Sequence, residues 1–411
     1  MEALGRASGF IRRTCRKLDV GLLCKALAGL AGMGTLTLDL IVQTLGLMGH
    51  STYSAQALCK RVGPGLERFL LAATTAVFRR HADEMLAQGS FSSFRRGLLQ
   101  DSTTMALPDR FASAFPGCVS QSRRTLSQIQ LQGVFDLVKL SLAQFSFSAF
   151  TRNDQAAAGD ILAIARRGDL VLRDMGYFSI QIFARLIAAG VHFLSRLHAS
   201  VRLYDPATGQ PLNLARLLKK GERLDRRVRI GEERLLVRLV ALPVPQAVAD
   251  RRRHLSRRDC RANPSRDRLF LMNWSLFVTT VGGEIWSPLH VAAVYRLRWT
   301  IEIIFKAWKS HLRLEDLNTH SEPMLRLSFV TQLFHCTLTL WCWAKLQTRA
   351  GYASILRVAH VMSRCAALIA CMILDVAPAQ LLEGLLARLG RHRQRRDRQN
   401  LSEQLAALCA A

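Results

Sequence analysis

YRLRWTIEIIFKAWK, residues 295–309, reads as one short helix with two unlike faces. An α-helix advances about 100° per residue, which places each side chain around the axis. With Tyr295 at zero, Arg298 falls about 60° behind it, Glu302 about 20° and Lys309 about 40°. Leu297, Ile301, Ile304 and Trp308 gather on the opposite side. One face anchors a core, and the other carries a hydroxyl, two cations and a carboxylate in a single stripe. An ordinary amphipathic helix with a solvated polar face would look the same in isolation. The rest of the chain decides between them.

At 411 residues the chain has room for two or three domains and enough apolar content for a core. Its 57 Lys and Arg against 30 Asp and Glu give a formal net charge of +27. Arg dominates the basic set, and its planar fork suits phosphate. Such a chain is expected to meet a polyanion: nucleic acid first, an acidic membrane surface second. A genome-wide bias toward Arg codons is the competing explanation. The 10 cysteines show no CxxC spacing and no zinc-like pairing with His, which points to a reducing, cytoplasmic setting without structural zinc. No secretory pattern opens the chain. Two apolar stretches, 26–49 and 327–346, approach membrane-span length. Asp39 and several glycines interrupt the first, and Gln332, His335 and several threonines the second, so both read as buried helices.

Residues 1–95 read as helical, and SAQALCKRVG (54–63) has the look of a small DNA-docking helix. From Leu98 the texture changes. LLQDSTTMALP (98–108), LQGVFDLVKLSL (131–142) and QFSFSAFTR (144–152) read as strands. A helix over 154–167, a strand ending at Asp174, a helix over 179–190 and a strand over 191–200 follow. Strands first, then alternation with helices, predict an α/β fold built on a mixed sheet. Residues 201–285 read as a β-rich insertion with dense basic clusters, including 219–229 and 251–261. Residues 286–325 return to the core with the helix quoted above, and 326–411 are helical, with a charged run RHRQRRDRQ at 391–399.

Three carboxylates stand out. Asp101 lies in the first strand of the α/β region, Asp174 ends a later strand, and Glu302 sits on the late helix. A carboxylate in an apolar strand is costly unless paired or bound to metal; a turn or helix cap is the plainer role for a strand-end Asp. Asp109, Asp160 and Asp169 read as such turn and cap residues. Three hard oxygen donors suit Mg²⁺, and two such ions can drive phosphodiester displacement. Arg298 and Lys309, with Lys306 beside them, would then hold phosphates next to Glu302, and Tyr295 would hydrogen-bond or stack against DNA.

These residues resemble a known family, the insertion-sequence DDE transposases marked by a Tyr-x2-Arg-x3-Glu-x6-Lys signature. Tyr295, Arg298, Glu302 and Lys309 match that spacing without a gap. DSTTMALP around Asp101 resembles the first Asp motif, and DMGY around Asp174 the second. The resemblance covers about residues 90–345 and implies an RNase H-like core with Asp101, Asp174 and Glu302 as catalytic metal ligands. It implies two Mg²⁺ ions, replaceable by Mn²⁺, cleavage at the element end, and attack of the freed 3′-hydroxyl on another phosphodiester. It further implies double-stranded DNA partners (terminal inverted repeats and target), a homodimer in the DNA complex, and a DNA-end-binding role for the N-terminal helices. Trp274 occupies the place of a family Trp that stacks on a flipped base; a core Trp in a strand fits it equally. Two positions depart from the pattern: Met175 stands where Arg is frequent, and Thr280 where Asn is usual. A nuclease without strand transfer, a decayed DNA-binding copy and a membrane protein are the competing readings.

Overall fold

The computed structural model describes residues 1–12, 18–31, 36–49, 53–81, 91–119, 125–219, 223–259, 264–312, 317, 319–350 and 354–364. Expectations for 391–399 lie outside them, as do parts of the two basic clusters. Among the described residues, five helices precede the sheet: α1 (Glu2–Ala7), α2 (Val20–Leu30), α3 (Leu38–Leu47), α4 (Ala55–Cys59) and α5 (Pro64–His81). Of the stretch 26–49, residues 26–30 lie in α2 and residues 38–47 in α3. Asp19 caps α2 by accepting the amides of Gly21 and Leu22.

The sheet begins at β1 (Gly97–Leu107), whose Leu98 and Leu99 are both fully buried although they face opposite ways. A strand apolar on both sides belongs in the middle of a sheet, and β1 lies there. It runs antiparallel to β3 (Thr125–Asp136) and parallel to β5 (Leu170–Arg173). β2 (Pro116–Val119) and β4 (Ser141–Ala149) share the far edge of β3. On the other side β5 pairs in parallel with β6 (His192–Arg196). From β6 the sheet continues through β11 (Trp274–Thr279), β10 (Leu235–Pro243), β9 (Leu224–Ile230), β7 (Leu203–Tyr204) and β8 (Pro211–Leu212). The strands of the β-rich stretch thus extend the same eleven-stranded sheet.

One face of the sheet, through Leu99, Met105, Leu131 and Leu172, packs with the N-terminal helices and with α12 (Trp299–His311), α13 (Glu322–Ala350) and α14 (Ile355–Arg364). The other, through Leu98, Val134, Val171 and Phe193, packs with α7 (Ile180–Ala188), where Phe183 stacks on Phe193 at 4.2 Å. α13 buries Phe329, Leu333, Phe334 and Leu338, so the apolar stretch 327–346 is core. Among the described residues no helix is long and apolar enough to cross a membrane. The mixed sheet flanked by helices is the α/β, RNase H-like architecture expected from the resemblance.

Local differences have local causes. The helix expected over 154–167 is only α6 (Asp154–Ala157) followed by a 3-10 turn at Asp160–Ala163. Gly159 separates the two, and Asp160 turns to pair with Arg152 at 2.6 Å. Within the stretch read as β-rich, α10 (Arg266–Leu271) is a helix whose N-cap, Ser265, accepts the amide of Arg268. Two further helices, α8 (Leu214–Leu218) and α9 (Gln246–Asp259), lie in the stretch read as strands.

Candidate active site

The parallel register of β1 and β5 brings the first two carboxylates together. Gln100 pairs with Arg173, so the next residues, Asp101 within β1 and Asp174 just past the end of β5, follow a matched pair on neighbouring strands. β5 stops at Arg173 while β1 runs on, which opens the sheet beyond Asp174. Asp174 precedes a 3-10 turn, Met175–Tyr177, and makes no side-chain cap bond there, which leaves its carboxylate for other partners. Asp101 Oδ1 accepts the amide of Ser102 at 2.8 Å.

The third carboxylate arrives from above. α11 (Pro288–Arg296) and α12 are two helices, not the single one read over 295–309. Leu297 and Arg298 keep right-handed backbone angles, but the bonds there close tighter turns: Arg298 N to Tyr295 O at 3.1 Å and Thr300 N to Leu297 O at 2.9 Å. The apolar face survives this, with Leu297, Ile301, Ile304 and Trp308 all buried. Gly133, which pairs with Asp101 on β3, lets α12 come close. A Cβ there would lie 3.0 Å from the ring of Phe305.

Arg298 joins the three acids. Its Nη2 lies 2.7 Å from Glu302 Oε1, its Nη1 3.2 Å from Asp101 Oδ2 and its Nε 3.7 Å from Asp174 Oδ1. Burial opposes the charged guanidinium, yet Asp174, Tyr295, Glu302 and Asp101 together outweigh it and hold its pKa above the ordinary value. Burial also pushes Asp101 up to about 7, against the Ser102 amide and Arg298 and with help from Glu302 and Asp174. Negative charge is therefore crowded around one cation.

The remaining expected residues divide. Lys309 donates to the carbonyl of Thr104 at 2.5 Å, and Lys306 is exposed. Both line a cleft of ≈ 290 Å³ with Ser102, Thr103, Glu302, Phe305 and Ser310. Tyr295 is buried, and its hydroxyl donates to Asp174 at 3.2 Å, so the ring is a support for the acid rather than a surface for a base. Trp274 is buried in the second core layer, and Arg252 binds its carbonyl at 3.0 Å; the structure does not bring it to the carboxylates. Thr280 Oγ1 accepts the amide of Phe193, a structural bond. Asp169 is paired with Arg96 at 2.5 Å and Asp160 with Arg152, in keeping with structural roles. Missed by the sequence reading was Asp154, which contacts Ser102 from the other side of β1. Its only signal was a place at the start of a short helix.

Among the described residues no three His, Cys, Asp or Glu side chains already converge on one point as ion ligands. The donor chemistry nonetheless suits a hard cation: three carboxylates held on one guanidinium, with the most buried of them resisting ionisation.

A family model described as a transposase DDE domain matches residues 92–338, which include all three carboxylates. The chain belongs to the DDE transposase family. The chain is 25% identical over 319 residues to the transposase for insertion sequence element IS231C of Bacillus thuringiensis subsp. berliner, covering 70% of this chain and 66% of that one. It is 24% identical over 375 residues to the IS231E transposase of Bacillus thuringiensis subsp. finitimus, covering 83% and 77%. With the IS1151 transposase of Clostridium perfringens it shares 26% over 247 residues, 54% of this chain and 52% of the relative. The match thus spans a little under two thirds of the first of these relatives.

Proposed function

We propose that this transposase cuts DNA at the ends of an insertion sequence and joins the freed 3′ end to target DNA, with Asp101, Asp174 and Glu302 as the ligands of two Mg²⁺ ions that Mn²⁺ can replace. The observation that carries the reading is the meeting of these three carboxylates, distant in sequence, around Arg298. Bound divalent ions would activate the attacking hydroxyl and stabilise the leaving oxygen. Asp101 sits within β1 and Asp174 directly follows β5, so the paired backbones of the two strands hold both still, as a precise site requires. Tyr295 orients Asp174 through its hydroxyl. Lys306 and Lys309 give the cleft wall positive charge suited to a phosphate, with Lys309 held in place by Thr104. Double-stranded DNA is the proposed substrate, handled by a homodimer that holds two element ends; the family resemblance supports this arrangement.

The test uses DNA ending in the inverted repeats that flank the coding sequence, with native protein and Glu302→Gln. That substitution removes one charge with little change of shape. Cutting and joining by the native protein, reduced about 100-fold or more in Glu302→Gln with binding retained, is the expected result. Equal cutting by both would remove Glu302 from the chemistry. Cutting without joining would leave a nuclease.

A further inference from the structure

Asp101 has a counterpart on the reverse side of the sheet. Asp101 pairs with Gly133 on the face that receives α12, while Ser102 pairs with Gln132 and faces the other way. There the carboxylate of Asp154 gathers three donors on one oxygen. Oδ1 accepts from Ser102 Oγ at 2.7 Å, Gln130 Nε2 at 2.9 Å and Gln132 Nε2 at 3.2 Å. Gln132 Oε1 in turn accepts the hydroxyl of Tyr177, which closes the turn after Asp174. Within that turn Gly176 leaves room for the acid: a Cβ would come 3.0 Å from Asp154 Oδ2.

A helix-start role does not account for this. α6 has four residues, too few for an appreciable dipole, and Asn153 already caps it through the amide of Ala156. Gln130, Gln132 and Tyr177 are buried, so the network is worth more than solvated bonds would be.

We propose that Asp154 is a positioning residue for the reaction: from the reverse face it ties the part of β1 that carries Asp101 to the turn that follows Asp174, and so fixes the separation of the two carboxylates. One arm runs through Ser102, whose amide also holds Asp101 Oδ1. The other runs through Gln132 and Tyr177. The proposal rests on the reading of Asp101 and Asp174 as divalent-ion ligands.

The experiment is Mn²⁺ binding to the full chain without DNA, followed by calorimetry. Native protein is compared with Asp154→Ala, Ser102→Ala and Tyr177→Phe, with Asp101→Asn as reference and thermal melts confirming that each variant folds. Asp154→Ala is expected to bind Mn²⁺ about tenfold or more weakly, as outer supports of metal ligands do, and each single-arm variant to lose less. Native affinity in a folded Asp154→Ala, with binding lost in Asp101→Asn, overturns the proposal and leaves the metal reading standing. Native affinity in Asp101→Asn overturns both. Should Asp154→Ala fail to fold, native affinity in both Ser102→Ala and Tyr177→Phe overturns the proposal, and a loss in either supports it.

Discussion

Arg298 touches all three acids, and its loss would leave them facing one another. Removing one partner of a buried pair typically costs about 3–5 kcal/mol. Asp174 and Glu302 keep side-chain exposures of 41% and 38%, so solvent screens part of that cost here. Arg298→Ala is therefore expected to lower stability by about 2 kcal/mol in chelator. Divalent ions should narrow the gap, because they would take over the neutralising charge. Thermal melts of both proteins, with EDTA and with Mn²⁺, check this; a gap that Mn²⁺ leaves unchanged would count against ion binding among these carboxylates. Asp101, Asp174 and Glu302 were all legible from type and spacing. Tyr295 was legible as a member of the site but not as a buried support, since spacing gives direction around an axis and not depth. Asp154 was illegible because its partners come from β1, β3 and the turn after Asp174, and only the folded register brings these together.

At the scale of elements, β1, β5 and α7 follow the sequence closely because each couples a clear apolar pattern to a turn or cap, whereas the strand read over 191–200 is only β6, His192–Arg196. The break between α11 and α12 was hidden. Tightened turns keep right-handed angles and need neither Pro nor Gly to announce them. The short α6 and the helical α10 depend on side-chain caps that compete with the wider pattern. The seat of α12 on β3 gives a prediction of its own. Gly133→Val would push a branched side chain against Phe305 and Ile301, which already approach a Cβ position there to 3.0 and 3.7 Å. Overpacking of this kind costs about 1–3 kcal/mol, and here it would also lift Glu302 away from Asp101. Reduced thermal stability together with weakened end cleavage is expected. A variant with native cleavage would show that α12 can shift without moving its acid.

For the molecule as a whole, the net charge of +27 is not spread among equivalent arginines. On α9, Arg252 holds the carbonyl of Trp274 and Arg253 the side chain of Asn273, so these two fasten the helix to the sheet. Arg251 and Arg257 are exposed on the same helix. On β9, Arg226 is paired with Asp205, while Arg227 is exposed. The basic clusters that the sequence presents as uniform thus split into structural and solvent-facing members. Neutralising Arg251 and Arg257 together is expected to weaken DNA binding with little effect on folding. The slope of log affinity against log salt should fall by about 1–2, one for each phosphate that the protein no longer neutralises. Binding measured over a range of salt concentrations decides it, and an unchanged slope would take α9 out of the DNA path. The eleven-stranded sheet adds a mechanical consequence. A continuous series of paired strands runs from the arginines of β9 to β1, so the sheet is a ruler: any group held at its far end stands at a set distance from Asp101.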